Sequence, residues 1–359
     1  MRVLFDGFWW GEGPISNRQV QREFILAWIE QYPHDEVLVA VRRRHLETAR
    51  AELPAGVQVV GASLAPHGVS VILELPVTAR RVRADVMVTH NFTPAFGRSA
   101  VFVHDLMFVT SPEWFTPLER AYFALMPATI RRSRVVFTSS ASEAGRIRRV
   151  AGARPVVPVG LDVGGSLRNA VPRRPDGLDG VEAFHLSVGR LNARKNLENA
   201  ILGALGSGLL SPATPLVVVG EPDGRRSELA SAAEAIDDGR IRFLGHVDDG
   251  ELAWLYSNTR GLLFLSRDEG FGMPTLEAYE FGAPVLASDI PVFREILGDH
   301  AVYADPSDPV GIAAALHRLP PRTAHRRSAE ELGYSWRRSV AAMRREIATT
   351  VLGHAEAAV

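Results

Sequence analysis

The stretch Gly261-Leu262-Leu263-Phe264-Leu265-Ser266-Arg267-Asp268-Glu269-Gly270-Phe271-Gly272-Met273-Pro274-Thr275-Leu276-Glu277 reads as a strand, a loop and a helix in quick succession. Its apolar opening is a short unbroken run, as in a buried strand. Pro274 falls where a first helical residue sits, and Gly282 closes the helix that follows. Glu269 therefore lies in a glycine-flanked loop, and Glu277 lies roughly one turn into the helix. Gly270 and Gly272 let backbone approach a ligand closely, and the helix start at Pro274-Thr275 offers unpaired N–H groups to an anion. Two carboxylates beside such a turn imply a phosphorylated sugar bound there.

The same alternation runs outward in both directions. Strands are expected at Arg2–Phe5, Glu36–Val41, Val57–Val60, Val69–Leu73, Val86–Thr89, Ala100–His104 and Val135–Ser139. After a Pro-, Gly- and Arg-rich linker at about Pro155–Gly180, further strands are expected at Ala183–Val188, Leu216–Val219, Ile241–Phe243, Gly261–Leu265 and Pro284–Ala287. Helical patterns separate most of them. Ser16-Asn17-Arg18-Gln19, Ser140-Ala141-Ser142-Glu143 and Asp248-Asp249-Gly250-Glu251 read as capping boxes, the first stapled by Ile15 on Val20. Strands alternating with helices make parallel sheets, so the fold class is α/β, with two doubly wound, Rossmann-like domains and a cleft between them. The expected division is 1–165, 166–335 and a final helix in 336–359, whose stripe of Trp336, Val340, Met343 and Ile347 reads as core.

Composition removes several classes. The chain has no cysteine, which excludes disulfides and thiolate metal sites and fits a reducing compartment. No apolar run approaches the roughly 20 residues of a membrane span, and the chain enters a strand pattern at once, so a cytoplasmic location is expected. Residues 1–165 carry 19 basic and 15 acidic side chains, net +4, against 21 and 26, net −5, in residues 166–359. The arginine clusters of the first half (Arg42–Arg44, Arg80–Arg83, Arg131–Arg134, Arg146–Arg149) read first as solvated helix ends. Their sharper reading is an anionic acceptor or an acidic membrane at the inner face of the cell. Without an aromatic-interleaved basic stripe, nucleic acid is not an expected partner. Nothing sets the oligomeric state.

In open parallel sheets, ligands bind beyond the carboxyl ends of strands. Strand Ala183–Val188 is followed by Gly189-Arg190-Leu191-Asn192-Ala193-Arg194-Lys195-Asn196 and then a helix. Three cations crowd a helix start that already repels positive charge, which implies an anion to offset them. Lys195 is the only lysine among 40 basic residues, so a compact ammonium is kept at one place in an otherwise arginine-only chain. A diphosphate between Arg190 and Lys195 on one side and the Gly270–Thr275 turn on the other satisfies both observations. In the first domain, His90 and His104 stand at strand ends, and the loop Gly11-Glu12-Gly13-Pro14 could let a phosphate or sugar near its backbone. That loop lacks the third glycine of a dinucleotide fingerprint. There is no Walker loop, His-Glu-x-x-His or nucleophile elbow, nor an Asp-x-Asp pair to hold a metal–diphosphate.

With these residues assembled, the chain resembles the retaining GT-B glycosyltransferases of family 4, of mannosyl- and rhamnosyltransferase type. Glu269-Gly270-Phe271-Gly272-Met273-Pro274-Thr275-Leu276-Glu277 matches that family's Glu-x7-Glu signature, and Gly189-Arg190…Lys195-Asn196 its diphosphate loop. Val103-His104-Asp105-Leu106…Ser111-Pro112-Glu113…Phe115 looks like the motif of its acceptor domain.

The resemblance implies a hexose or deoxyhexose moved from a nucleotide-diphosphate sugar, GDP-mannose first and a dTDP-deoxysugar next, to a glycan, lipid-linked or natural-product hydroxyl. It implies a first domain for the acceptor, a second for the donor, and a last helix crossing back to the first. Arg190 and Lys195 would hold the diphosphate with no metal and no cofactor, and Glu269 the sugar hydroxyls, helped by the backbone of Phe271, Gly272 and Met273. Glu277 would hold the ribose, His246 and Val247 would lie near the base, and His104 would touch the donor sugar. The first loop, through Gly13, departs from the family's glycine pair. Two other readings share the architecture: a GT-B-like sugar-nucleotide epimerase and a doubly wound NAD-dependent oxidoreductase.

Overall fold

A computed structural model describes residues 1–153, 155–221 and 232–353. The chain divides into two compact units. One comprises Met1–Thr110, Leu118–Leu161 and the chain from Tyr334 onward; the other comprises Ser111–Pro117 and Asp162–Gly333. Residues 354–359 of the expected final segment lie outside the described residues.

The first unit is built on a seven-stranded sheet: β1 (Arg2–Asp6), β2 (Glu36–Arg42), β3 (Gln58–Ala62), β4 (Val86–His90), β5 (Ser99–Val103), β6 (Val135–Thr138) and β7 (Val156–Pro158), in the order β3-β2-β1-β4-β5-β6-β7. Every pairing is parallel. Strands β4 and β5 are buried along their whole length, so their apolar runs are unbroken. The helix Trp336–Glu346 belongs to this unit and packs on helix Ile15–Gln31, with Trp336 edge-on to Phe24 at 5.4 Å. Arg344 donates to both oxygens of Asp35, at 2.8 and 3.1 Å. Trp336, Val340, Met343 and Ile347 are all buried.

Three local expectations are corrected here. The segment expected as strand Val69–Leu73 is helical, running through His67–Val69, a π turn at Ser70–Glu74 and Leu75–Arg81. Val71, Leu75, Thr78 and Ala79 face inward while Leu73 and Val77 are exposed, a helical period that the short apolar run concealed. The first helix begins at Ile15 after Pro14, so Ser16 lies inside it, and Ile15 is too exposed to staple. Strand β7 lies inside the stretch expected as linker; a proline there is tolerated because β7 is an edge strand. The first unit accordingly runs to Leu161, inside the stretch expected as linker.

The second unit carries β8 (His185–Val188), β9 (Leu216–Val219), β10 (Ile241–Gly245), β11 (Leu262–Phe264), β12 (Val285–Ser288) and β13 (Val302–Ala304), in the order β10-β9-β8-β11-β12-β13, again all parallel. Leu216, Val218, Leu263 and Leu286 from three strands meet Ile201, Ala204, Ile312 and Leu316 from two helices in one core cluster. The Asp248 box forms in full: its side chain accepts from Glu251 N–H, and Glu251 accepts from Asp248 N–H. Ser140 also caps as read, accepting from Glu143 N–H at 3.1 Å.

Candidate active site

Each sheet reverses its strand order once, between β1 and β4 in the first unit and between β8 and β11 in the second. Loops leaving such a point diverge, and the gap between them is where doubly wound sheets take ligands. The two loops that leave β8 and β11 are Gly189–Asn196 and Leu265–Gly272, the segments singled out in the sequence.

Their shape follows from a few residues. Gly220, just past β9, has φ +136°, and a Cβ there would lie 1.9 Å from the Gly189 carbonyl oxygen. Gly189 itself has φ +143° and sits against the Lys195 side chain. Asn192 caps the turn Ala193–Lys195, its side chain accepting from Lys195 N–H at 3.2 Å. Asn196 is left-handed, φ 55°, and buried. Its amide donates to the carbonyls of Leu265 and Pro306, at 3.0 and 2.6 Å, which ties the β8 loop to the β11 loop.

Between the loops lies an ion cluster in which Glu269 is buried and Arg194 and Lys195 are half-buried. Lys195 Nζ donates to Glu269 Oε1 at 2.7 Å, and Arg194 Nη1 lies 2.6 Å from Glu269 Oε2. Arg194 also donates to the Asp268 carbonyl at 3.0 Å, and its own carbonyl accepts from Arg267 N–H at 2.9 Å. Burial alone would raise the Glu269 carboxyl, but Arg194 and Lys195 outweigh it and hold it at about 2. Burial also brings the Lys195 ammonium down to about 8, with Arg194 and Arg190 adding to the fall and Glu269 opposing it. The Phe264 ring lies 4.4 Å from Nζ. At neutral pH the three groups carry one surplus positive charge.

The chain itself places one anion, Glu269, among the crowded cations, and the cation opposite Lys195 on that carboxylate is Arg194. Arg190 is exposed at the edge of a shallow recess lined by Gly189, Lys195, Leu191 and Ser266. Arg194 was counted among the three cations but given no role in the sequence; its signal was its place beside Lys195.

The turn Gly270–Thr275 also differs from expectation. Thr275 donates both its N–H, at 2.9 Å, and its hydroxyl, at 2.8 Å, to the Gly272 carbonyl, so both groups close the turn. Gly272, φ +97°, is fixed by packing: a Cβ would meet the Phe293 ring at 2.4 Å. The helix starts at Met273, with Pro274 in its first turn and half-buried. One turn on, Glu277 is buried and accepts from the Tyr256 hydroxyl at 2.8 Å. Burial lifts the Glu277 carboxyl to about 7, with Asp249 and Glu280 adding and Tyr256 opposing. Burial and Glu277 together push the Tyr256 phenol well up. His246, exposed, and Val247, half-buried, follow β10. Among the described residues no group of three or more His, Asp and Glu side chains is placed to hold a metal ion.

In the first unit the strand ends gather a second polar group. Asp6 ends β1, His90 ends β4 and His104 follows β5. Asp6 Oδ2 lies 2.7 Å from His67 Nε2 and accepts from His90 N–H at 3.3 Å. His90 Nδ1 and His104 Nε2 are 3.3 Å apart, and Trp9 packs on all three imidazoles. Burial would raise Asp6, but His67 and His90 hold it below the usual carboxylate range. Burial lowers His90 to about 4, and burial with His90 and His67 holds His104 well below its ordinary value. Asp6 and His67 were not read from the sequence, although the strand-end rule that found His90 applies equally to Asp6. Gly13, φ +100°, lies over Trp9, and its neighbour Glu12 pairs with Arg42 and Arg44.

Residues 172–336 match the model of the family described as glycosyl transferases group 1. Over 241 residues the chain is 28% identical to the O-antigen chain mannosyltransferase RfbU of Salmonella typhimurium, covering 65% of this chain and 64% of that one. The O-antigen chain mannosyltransferase B of Escherichia coli is 33% identical over 141 residues, 38% of this chain and 36% of that one. The matches thus span less than two thirds of these relatives' lengths. Among solved structures, sucrose-phosphate synthase from Thermosynechococcus elongatus is similar over 98% of this chain and 95% of its own, with a TM-score of 0.63 at 17% identity. The fold of two parallel-sheet, Rossmann-like domains is therefore shared with glycosyltransferases of the GT-B type.

Proposed function

We propose that this chain is a retaining glycosyltransferase that moves a hexose or deoxyhexose from a nucleotide-diphosphate sugar to an acceptor hydroxyl on a glycan, a lipid-linked saccharide or a natural product. The observation that carries the reading is the Arg194–Lys195–Glu269 cluster at the switch point of the second unit. Its surplus positive charge, with Arg190 beside it, suits a diphosphate. Both relatives are named mannosyltransferases, which supports GDP-mannose as first donor.

In this reading the second unit holds the donor and the first the acceptor. The diphosphate takes Lys195 and Arg190; Lys195 then exchanges Glu269 for a phosphate, and the freed Glu269 oxygen receives a sugar hydroxyl. Glu277 holds the ribose. The bond between C1 and the phosphate oxygen breaks, and the nucleotide diphosphate leaves into the cations, whose charge takes the place of a metal. The acceptor oxygen bonds to C1 from the same face and passes its proton to a departing phosphate oxygen. No further cofactor enters. The protein works in the cytoplasm. Contact with an acidic membrane is supported by exposed Leu73, Val77, Phe96 and Leu125 in the more basic half of the chain. Among the described residues no helix is long and apolar enough to cross a membrane.

Incubation with GDP-mannose and a panel of acceptor saccharides is the direct test: GDP release with formation of an α-mannoside is expected. A protein that neither binds nor cleaves GDP-, UDP- or dTDP-sugars overturns the reading, and a free epimer as product replaces it with the epimerase.

A further inference from the structure

Tyr256 lies on the helix Asp249–Asn258, outside every ligand motif read in the sequence, and its side chain is fully buried. A buried phenol needs a partner, and it has one: its hydroxyl donates to Glu277 Oε2 at 2.8 Å. The other carboxylate oxygen of Glu277 has no hydrogen-bond partner among the described residues. A glutamate carboxylate rotates freely about its last torsion, whose profile is broad. One fixed hydrogen bond at Oε2 removes that freedom and sets the plane in which Oε1 lies.

We propose that Tyr256 is a positioning residue for nucleotide binding, holding Glu277 so that its open oxygen meets the hydroxyls of a ribose. The proposal rests on the reading of Glu277 as the ribose-binding carboxylate. It adds a residue that touches no substrate and sets the orientation and charge of one that does. The electrostatics agree with the geometry. Burial, Asp249 and Glu280 all push Glu277 toward its neutral form, while Tyr256 and Lys195 favour the carboxylate. Removing the phenol therefore both frees the carboxylate to rotate and protonates more of it at neutral pH.

The test is calorimetry on the full chain and its Tyr256→Phe and Glu277→Gln variants with GDP, or UDP where GDP does not bind, and with the 2′,3′-dideoxy form of the same nucleotide. Wild type is expected to prefer the ribose form. Tyr256→Phe should lose about tenfold in affinity for that form, as for one lost hydrogen bond to a charged group, and almost nothing for the dideoxy form. The affinity of wild type for the ribose form should fall as pH drops through about 7, and in Tyr256→Phe that fall should begin at higher pH. Equal weakening toward both nucleotides, with no move in the pH profile, makes Tyr256 a packing residue and overturns the proposal. If Glu277→Gln loses the ribose preference and Tyr256→Phe keeps it, the reading of Glu277 stands and the proposal falls. If wild type binds both forms equally, the reading of Glu277 falls and the proposal with it; if no nucleotide binds, the proposed function falls as well.

Discussion

Lys195 and Glu269 are bonded to each other, Nζ to Oε1 at 2.7 Å, across 74 residues of chain. The ammonium expected to face a diphosphate and the carboxylate expected to face a sugar are thus one ion pair, with Arg194 as its third member. The arrangement sets two half-buried cations against one removable carboxylate, so an incoming anion can substitute for Glu269 at Lys195 while Arg194 keeps its partner.

Deleting the carboxylate should show how much the cluster depends on it. In Glu269→Ala the Arg194 and Lys195 charges lose their buried partner, a change that costs about 3–5 kcal/mol in comparable sites. A lowered melting temperature is expected, recovered more strongly by added nucleoside diphosphate than in wild type, because the ligand then supplies the missing anion. Transfer should be abolished while the free nucleotide still binds. A variant as stable as wild type, and no more responsive to nucleotide, contradicts this account.

Arg194 should matter to turnover more than to affinity. It bonds Glu269 and the Asp268 carbonyl together, so Arg194→Ala frees the loop that aims the carboxylate. Steady-state kinetics should show kcat down by roughly 10- to 100-fold, the scale for losing the orientation of a positioned group, with nucleotide affinity within a few-fold. Lost nucleotide binding at unchanged kcat would place Arg194 on the diphosphate instead.

How far the sequence reached depends on how local each feature is. β4, β5 and β6 were legible because strands buried on both faces must be continuously apolar. The Asp248 and Ser140 caps were legible because a cap is a contact between neighbours. Strands β7 and β13 are three-residue edges, too short to show a period. Val69–Leu73 misled because Val69, Val71 and Leu73 satisfy strand alternation over a run too short to expose the helical period. Lys195, Glu269 and Glu277 stood out from residue type and spacing, but their partners did not. Glu269 meets Arg194, and Glu277 meets Tyr256, only because β8 and β11 are neighbours and two helices pack, which spacing along the chain does not encode.

The backbone contact at Gly220 sets up another test. Gly220→Ala would drive a Cβ into the Gly189 carbonyl, and the positive φ already disfavours any side chain there. Neither backbone can move without pulling β8 from β9, so a loss above about 4 kcal/mol is expected, in the range reserved for core disruption. Urea unfolding measures it. By contrast Gly245→Ala, also at positive φ but with open space around it, should cost only the strain, about 1 kcal/mol.

Glu277 should make the protein less stable as pH rises, the reverse of an ion-paired carboxylate. Its folded-state value, about 7, lies above the ordinary 4.5. Below the ordinary value both folded and unfolded chains hold the proton, and the residue costs nothing. Between the two values the unfolded chain has lost its proton while the folded chain keeps it, so stability declines with rising pH. Above about 7 both are ionised and the full cost remains, about 3 kcal/mol for a shift of this size. Glu277→Gln keeps the shape and can still accept from Tyr256, but it carries no charge. Its unfolding free energy should match wild type near pH 4 and exceed it at pH 8 by an amount of that order, while nucleotide affinity falls. A pH-independent difference between the two proteins would mean that Glu277 is ionised throughout, with its charge compensated by something other than Tyr256.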